Sequence, residues 1–598
     1  MNTLQGEIVA KVGCVEYYFN ASYKLHNPAK HQVWQLATLD LNLKKPSSPV
    51  SINTRALCLG FIIPCAVGKI ARADIVSLRL VDLPGIKSVS TFADPGQSFD
   101  FESIKRTAGS DEFQFFPEIL KVAAAGFTIN PDVDIATLTS ELVQRLSMAW
   151  ILPSSHPDRR RTLALVDGRY DPHVGEPLYS AAKSLAIDLV VVERPGHWIG
   201  QAQYRSWYKD LLIIDMMVDE GLSDRIVEAI QVSGHKIDGI ITRFDPRAAA
   251  TAKAAERLGI ALAPAEAFEV ATDKFRTSLL DGHSAYRVSS LYAAKSIIDE
   301  GKAFFPLILK PVAGFLSEGV FLVQNLYDLE NAIHAIITVR GNDALMEPYC
   351  DGLEVDANFV LADGEVLFFE ASDDFPTSAE EGPNGTFLEQ ANVLPSSLPQ
   401  QELQIIEKSL HQRLLQLGFR DRIFHLEARM QHSTMEYVKV NGTLDLEYRP
   451  IQSLASNGAP QPSAWLIEIN PRPPGIQSFQ ATALTYGVDY IGLSLLLAVG
   501  DRERARILAQ PFLQRHQYWS QILFIPTPKG GIFNSDDVCA ELKRRCPNLA
   551  SHISISFYHW NRGDVVPDPL KSGKLTWIAY YLMNSRVSRR HLWKSAKG

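Results

Sequence analysis

WLIEINPRPPG, Trp465–Gly475, is the stretch on which the rest of the chain turns. An apolar run ends in an acid, an amide and a guanidinium two residues apart, and prolines stiffen the exit. Side chains alternate faces along a strand, with same-face neighbours about 6.5–7 Å apart. In WLIEIN this sets Trp465, Ile467 and Ile469 on one side and Leu466, Glu468 and Asn470 on the other. Two hard oxygen donors then share a surface, with Arg472 just beyond them.

The stretch IFHLEARM repeats the arrangement. Phe424, Leu426, Ala428 and Met430 are apolar, while His425, Glu427 and Arg429 face the other way, so one wall is core and one is wet or catalytic. As neighbouring strands they would bring Glu427, Glu468 and Asn470 onto one hard cation. Two carboxylates and an amide oxygen suit Mg²⁺, which fills its remaining positions with water and substrate phosphate. Taken alone, either strand is equally an ordinary polar face that keeps the chain soluble.

Upstream, Lys310 ends the apolar LILK and precedes a small loop, PVAGFLSEGV, containing Gly314, Ser317 and Gly319. Backbone N–H groups in such a loop can cradle phosphate while the lysine supplies a point charge. No GK[ST] follows, so it is not a Walker A loop, and a plain hairpin fits the stretch by itself. In LMEPYCDGLEVD an apolar strand runs into Glu347, then Gly352 and Glu354. That offers a backbone edge for a base and a carboxylate for ribose hydroxyls, or a surface turn between strands.

At 598 residues the chain exceeds one hydrophobic core, since single cores stop growing near roughly 250–300 residues. With 46% hydrophobic and 21% charged residues it is an ordinary globular composition. A formal charge of -8 gives no bulk attraction to nucleic acid or anionic membrane, so neither is an expected partner. The six cysteines, Cys14, Cys58, Cys65, Cys350, Cys539 and Cys546, form no CxxC pair, which fits a reducing compartment. The start, MNTLQGEIVAKVG, lacks a signal-peptide pattern. A cytoplasmic location is expected.

Residues 1–155 carry no chemical motif and are expected to form an accessory α/β domain that packs on the rest or on a second subunit, with a helix near Asp134–Trp150. In 156–269, RTLALVDGRY, DLVVVERPG and GIITRF alternate with helical stretches, the pattern of βαβ units on a parallel sheet. Ligands bind at strand carboxyl ends in such sheets, which nominates Asp167, Gly168, Arg169 and Glu193–His197, although each is also a plain turn. No GxGxxG follows these strands, which argues against a dinucleotide cofactor. Residues 270–500 mix strands with helices expected at Lys274–Asp281, Tyr327–Val339 and Pro399–Leu417, and 501–598 read as a small α+β domain.

Taken in order, DKFRTSLL, LILKPVAGFLSEGV, LMEPYCDGLEVD, FHLEARM and LIEINPRPPG resemble the ATP-grasp superfamily, and within it the carboxylate-amine ligases. The layout is similar to carnosine-synthase-like enzymes and to ligases of fungal secondary-metabolite pathways. The resemblance implies an ATP-grasp fold at 270–500, preceded by a parallel-sheet βαβ domain and followed by the α+β unit. It implies that Lys274 and Lys310 hold the phosphates of ATP, that Glu347, Tyr349 and Cys350 lie along the adenine, and that Glu354 meets the ribose. Glu427, Glu468 and Asn470 match the ligands of Mg²⁺ or Mn²⁺. Arg472 matches the arginine on the transferring phosphoryl group, and the loop from Gly314 to Gly319 would close over the phosphates.

The implied activity is an ADP-forming ligase acting on a small acid and an amine, with a homodimer compatible with the family. A phosphotransferase on the same scaffold and a non-catalytic nucleotide-binding module are the alternatives. Two stretches depart from the pattern. Between the metal-bearing strands runs a long interruption, Gln431 to Ala464, with the hairpin EYVKVNGTLDLEYR turning at Asn441 and Gly442. The acidic stretch Asp373 to Gly385 is either a lid over an amine or a solvated loop.

Overall fold

The computed structural model describes residues 3–12, 15–25, 34–43, 57–101, 103, 120–154, 160–312, 314, 317–381, 385–440, 442–450, 460–569 and 576–596. Cys14, Ala313, Phe315, Leu316, the stretch 382–384 and the turn residue Asn441 lie outside the described residues.

The amino-terminal region is a six-stranded sheet in the order Thr3–Val12, Val15–Leu25, Trp34–Leu43, Leu57–Pro64, Ala125–Ile129, Ile86–Thr91. Every described pairing in it is antiparallel. This corrects the expected α/β arrangement to α+β: neighbouring strands run in opposite senses, without the long crossovers that parallel pairing requires. The expected helix forms over Ile135–Arg145, its first turn capped by the Asp134 carboxylate on Thr137 N–H at 2.9 Å.

This layer docks on the rest of the chain through buried arginines. Arg79, 1% exposed, donates to the carbonyls of Arg145 (2.7 Å), Gly487 (2.8 Å) and Gln510 (2.9 Å). Arg145 donates to the carbonyls of Arg79 (3.0 Å) and Val81 (2.7 Å), and both guanidiniums lie over the Phe512 ring. Burial and the neighbouring Arg145 charge push the Arg79 pKa down to about 9. Arg72 adds an ion pair to Asp489, the residue that caps the helix Tyr490–Ala498. That helix is buried on all sides, and its Leu493 and Leu496 share one core with Trp34, Trp150, Leu165 and Tyr580. Among the described residues no single helix is long and apolar enough to cross a membrane, and the pair Ile476–Tyr486 and Tyr490–Ala498 passes only jointly, bent by 102°.

The βαβ unit follows expectation, with a parallel sheet in the order Asp210–Ile213, Ile187–Glu193, Arg161–Val166, Gly239–Thr242. Its carboxyl ends present Asp167–Arg169, Glu193–His197 and Arg243–Asp245 on one side.

Beyond it lie two lobes. The smaller is an antiparallel sheet ordered Tyr286–Val288, Ala344–Pro348, Leu307–Pro311, Phe321–Val323, backed by helices Leu291–Asp299 and Leu326–Ile333. The second helix runs on into a wider turn, His334–Val339, completing the expected span. The larger is an eight-stranded sheet ordered Ser463–Asn470, Arg422–Gln431, Leu353–Ala362, Glu365–Asp374, Ala391–Leu394, Trp519–Pro526, Trp577–Ser585, Ile553–Tyr558. One face of its first three strands buries Phe359, Phe424 and Leu426 against Ile406, Leu410 and Leu414 of the helix Gln400–Gln416. The opposite face is polar. Ala391–Leu394 pairs directly with Trp519–Pro526, so the last hundred residues extend the same sheet where a separate domain after 500 was expected.

Replacing Arg79 by leucine removes the donor from the Arg145, Gly487 and Gln510 carbonyls, the first of them buried. The expected loss is about 3 kcal/mol or more, read as an earlier first transition in urea with the two lobes unfolding at their usual denaturant concentration.

Candidate active site

The polar face is organised in rows that cross adjacent strands. Directly opposed residues of an antiparallel pair project to the same side. Asp356 stands opposite Glu427, and Glu427 opposite Glu468. One row over, Asn358, His425 and Asn470 align, and on the other side Glu354, Arg429 and Trp465. The two strands read from sequence are therefore neighbours with both glutamates on one surface. A bulge at Ile467 alters the expected alternation: Leu466 pairs with Ala428 in the core, not on the Glu468 side, and Trp465 takes the polar register. An extra residue in one strand reverses the parity of everything before it.

Charge around this row is dense. Lys274, the first residue of the helix Lys274–Leu280, forms an ion pair with Glu468. Burial resists ionisation of Glu468, but the Lys274, Lys310 and Arg472 charges outweigh it and hold its pKa below the ordinary value. Glu427 has no hydrogen-bond or ion-pair partner among the described residues, and burial plus the Glu468 charge raise it to about 7. An unpartnered carboxylate opposite an ionised one has the donor chemistry that a divalent cation would satisfy, and Asn470 stands in the next row with an amide oxygen. Mg²⁺ or Mn²⁺ fits this donor set.

Arg472 leaves the strand end and donates from Nε to Asp245 at 2.7 Å and from Nη2 to Asn470 Oδ1 at 3.0 Å. Asp245 belongs to the βαβ unit, so this pair ties the two parts together at the site. His425 is buried beside Arg472, and burial followed by that charge pushes its pKa down to about 3. It stays neutral at any working pH.

On the smaller lobe, Lys310 pairs with Glu347 at 2.8 Å, and Ser278 Oγ donates to the same carboxylate at 2.6 Å. Burial opposes charge on Glu347, yet Lys310 and Ser278 leave its pKa below normal. The chain then crosses between lobes through Gly352, where a Cβ would sit 2.6 Å from the Met430 carbonyl. Glu354 is gripped through one oxygen by Arg429 at 2.5 and 3.0 Å. Arg429 also reaches the Cys350 carbonyl at 2.8 Å, the Tyr349 hydroxyl at 3.2 Å and Glu380 at 2.8 Å. Gly314, Ser317 and Gly319 flank the undescribed part of their loop, with Ser317 and Gly319 at positive φ and the Gly319 Cβ position 3.1 Å from Pro311.

A family model for the ATP-grasp N-terminal domain matches residues 179–261, and one for the ATP-grasp domain matches 303–444. Over 551 residues the chain is 39% identical to the ATP-grasp enzyme fsqD of Aspergillus fumigatus, spanning 88% of this chain and 94% of that protein. The chain belongs to the ATP-grasp family. It is also similar to carnosine synthase 1 of Gallus gallus, 27% identical over 307 residues that span 47% of this chain and 29% of that protein. Among solved structures, L-amino acid ligase from Bacillus licheniformis matches 74% of this chain and 98% of its own at a TM-score of 0.54 and 19% identity, a likeness of fold.

The ATP-grasp sheet also carries acids that the motifs did not flag. Asp356, Asp374 and Glu389 place carboxylate oxygens within 4.8 Å of one another, bridged by the Asn392 amide to Asp356 (3.2 Å) and Asp374. Burial raises all three pKa values, joined by the Glu389 charge on Asp356, the Asp356 and Glu389 charges on Asp374, and the Glu427 and Glu354 charges on Glu389, which reaches about 8. The signal was in the alternation of LEVDANF and FFEASDD, which matches that of IFHLEARM. Glu380, from the stretch read as lid or solvated loop, is instead held on Arg429, Tyr349 (3.0 Å) and Thr377 N–H (2.9 Å). The added hairpin forms as Met435–Val440 and Thr443–Tyr448, and is fixed by Tyr437 on the Asp374 carbonyl (2.8 Å) and by Arg589 on Asp445 (2.8 Å). At the βαβ carboxyl ends, Glu193 accepts from Gly168 N–H at 2.7 Å with His197 3.6 Å away, and Asp167 pairs with Arg247.

Glu370, on the same face, accepts from Asn358 (2.8 Å), Tyr490 (3.1 Å) and Thr482 (3.2 Å), and burial pushes its pKa to about 7. The native state therefore keeps a proton that the unfolded chain releases near pH 4.3, so stability falls as pH rises from about 4.5 to 7. Glu370→Gln should remove that part of the slope. The variant is expected to match the parent at pH 4 and to exceed it at pH 8 by on the order of 3 kcal/mol, measured by urea unfolding at both pH values.

Proposed function

We propose that this ATP-grasp ligase joins a small acid, in the first instance an amino acid, to an amine through an acyl phosphate, releasing ADP and phosphate. The observation that carries the reading is the row Glu427–Glu468 with Lys274, Lys310 and Arg472 all acting on it from three different elements. Phosphoryl transfer to a carboxylate crowds anionic oxygens together, and catalysis consists of positive charge fixed beforehand.

In this reading Glu427, Glu468 and Asn470 hold the divalent ion, which supplies charge neutralisation for the phosphates. Lys274 and Lys310 fix the phosphate chain. The Tyr349 N–H is engaged by the Pro306 carbonyl (3.1 Å) and the Cys350 carbonyl by Arg429, so a base along this segment meets the Tyr349 carbonyl and Cys350 N–H. Glu354 keeps one oxygen for a ribose hydroxyl. A carboxylate oxygen attacks the γ-phosphorus, the bond to the β-bridging oxygen breaks, and ADP leaves. Arg472, oriented by Asp245, grips the migrating phosphoryl oxygens. The amine nitrogen then attacks the acyl carbon, the C–O bond to phosphate breaks, and the nitrogen loses a proton. The hairpin of Met435–Val440 and Thr443–Tyr448 packs Met435, Tyr437 and Leu446 into the core on the opposite, apolar face of this sheet.

Mg-ATP with paired amino acids should yield ADP and phosphate only when both acid and amine are present, with a condensed product by mass. AMP and pyrophosphate would overturn the reading, and a stable phosphorylated single acceptor would make the chain a phosphotransferase. Glu468→Gln should lose turnover with an unchanged circular dichroism spectrum. Arg472→Lys cannot reproduce the two-pronged contact to Asp245 and Asn470, and kcat should fall about 100-fold with KM for ATP changed less than about threefold.

A further inference from the structure

Among the described residues two guanidiniums beside the Arg472 turn, Arg243 and Arg169, form no ion pair. Arg243 follows the strand Gly239–Thr242 and is 6% exposed. Its one hydrogen bond among the described residues runs from Nη2 to the Pro474 carbonyl at 3.3 Å, its Nε is buried and unpartnered, and the Phe479 ring lies 5.6 Å from its guanidinium carbon. Arg169 follows the neighbouring strand in a left-handed conformation, φ 72°, with its carbonyl fixed by Trp198 Nε1 at 2.7 Å. Its Nε is likewise buried and unpartnered.

The acids nearby are already committed. Asp167 pairs with Arg247, Asp245 with Arg472, and Asp489 with Arg72, while Asp171 caps the helix Pro172–Ser184. Burial lowers the pKa of both groups; on Arg169 the Asp167 charge opposes it and the Arg472 charge adds to it, and on Arg243 the Arg169 and Arg472 charges add to it. A buried cation without an ion-pair partner, as Arg243 is here, is held at a cost of several kcal/mol, and an entering anion relieves that cost. Both residues belong to the βαβ unit, whereas the lysines assigned to the triphosphate come from the grasp lobes, so this charge faces the substrate side of Arg472.

We propose that Arg169 and Arg243 form a carboxylate-binding site that holds an amino-acid substrate next to Arg472. A planar guanidinium matches a carboxylate in a fork of two parallel bonds. The site deepens the ligase reading and rests on it for the identity of the ligand as a substrate. The carboxylate is either the one that becomes phosphorylated or the free α-carboxylate of an amino-acid nucleophile.

The test is calorimetric titration of the full chain, saturated with Mg-ADP, with the L-amino acids and with the carboxamide of each. At least one amino acid should bind at least about tenfold more tightly than its amide. In Arg243→Gln and in Arg169→Gln that preference should vanish while Mg-ADP affinity stays within about twofold, and Arg243→Lys should restore part of it. The proposal is overturned if no amino acid is preferred over its amide, or if the preference survives in both glutamine variants. This binding readout needs no turnover, so a chain that binds carboxylates but ligates nothing would sink the ligase reading alone. With a turnover pair in hand, a raised KM for the acid whose labelled carboxylate oxygen appears in phosphate assigns the site to the activated group. A raised KM for the amine assigns it to the nucleophile.

Discussion

Two carboxylates facing each other across adjacent strands set the terms for the rest of this molecule. Glu427 and Glu468 are directly opposed and half-buried, and their repulsion adds to burial in raising the pKa of Glu427. A fold tolerates such a pair only with compensating cations held in place. Lys274 arrives on a helix N-terminus, Lys310 on a strand of the smaller lobe, and Arg472 on the exit of the Glu468 strand. The two lobes and the βαβ unit are thus arranged about one electrostatic problem, whose solution is also what phosphoryl transfer to a carboxylate requires.

Precision at that spot depends on elements far from it. The sheet bearing the glutamates continues without a break into the carboxyl-terminal strands, and its apolar face is sealed by the helix Gln400–Gln416. The buried helix Tyr490–Ala498 packs between this sheet and the βαβ unit, and Arg79 and Arg72 clamp the amino-terminal layer onto the segment around it. Asp245 fixes Arg472 from the βαβ side. Rigid supports of this kind keep charged groups within the narrow tolerances that catalysis by positioning requires.

Local patterns carried much of this into the sequence. Alternation in IFHLEARM placed Glu427 on the polar face, helix boundaries at Lys274 and Gln400 fell within a residue or two of expectation, and β-branched runs between helical stretches announced the parallel sheet. What failed was non-local or depended on parity. The bulge at Ile467 leaves no mark in WLIEIN, and it reversed Leu466 and Trp465. The Asp245–Arg472 pair joins residues 227 positions apart, beyond any periodicity. The amino-terminal sheet was misjudged because apolar runs do not reveal strand direction, and the carboxyl-terminal strands because sheet continuity is a tertiary fact. The acids Asp356 and Asp374 were readable by the same alternation, yet no motif drew attention to them.

The most direct measurement of the central claim is electron paramagnetic resonance of Mn²⁺ titrated into the chain with ADP. If Glu427 and Glu468 share one ion beside the nucleotide, Glu427→Gln and Glu468→Gln should each weaken Mn²⁺ binding at least about tenfold, and the double variant should lose little more, since the pair acts as a unit. Mn²⁺ affinity unchanged in either single variant would contradict the account.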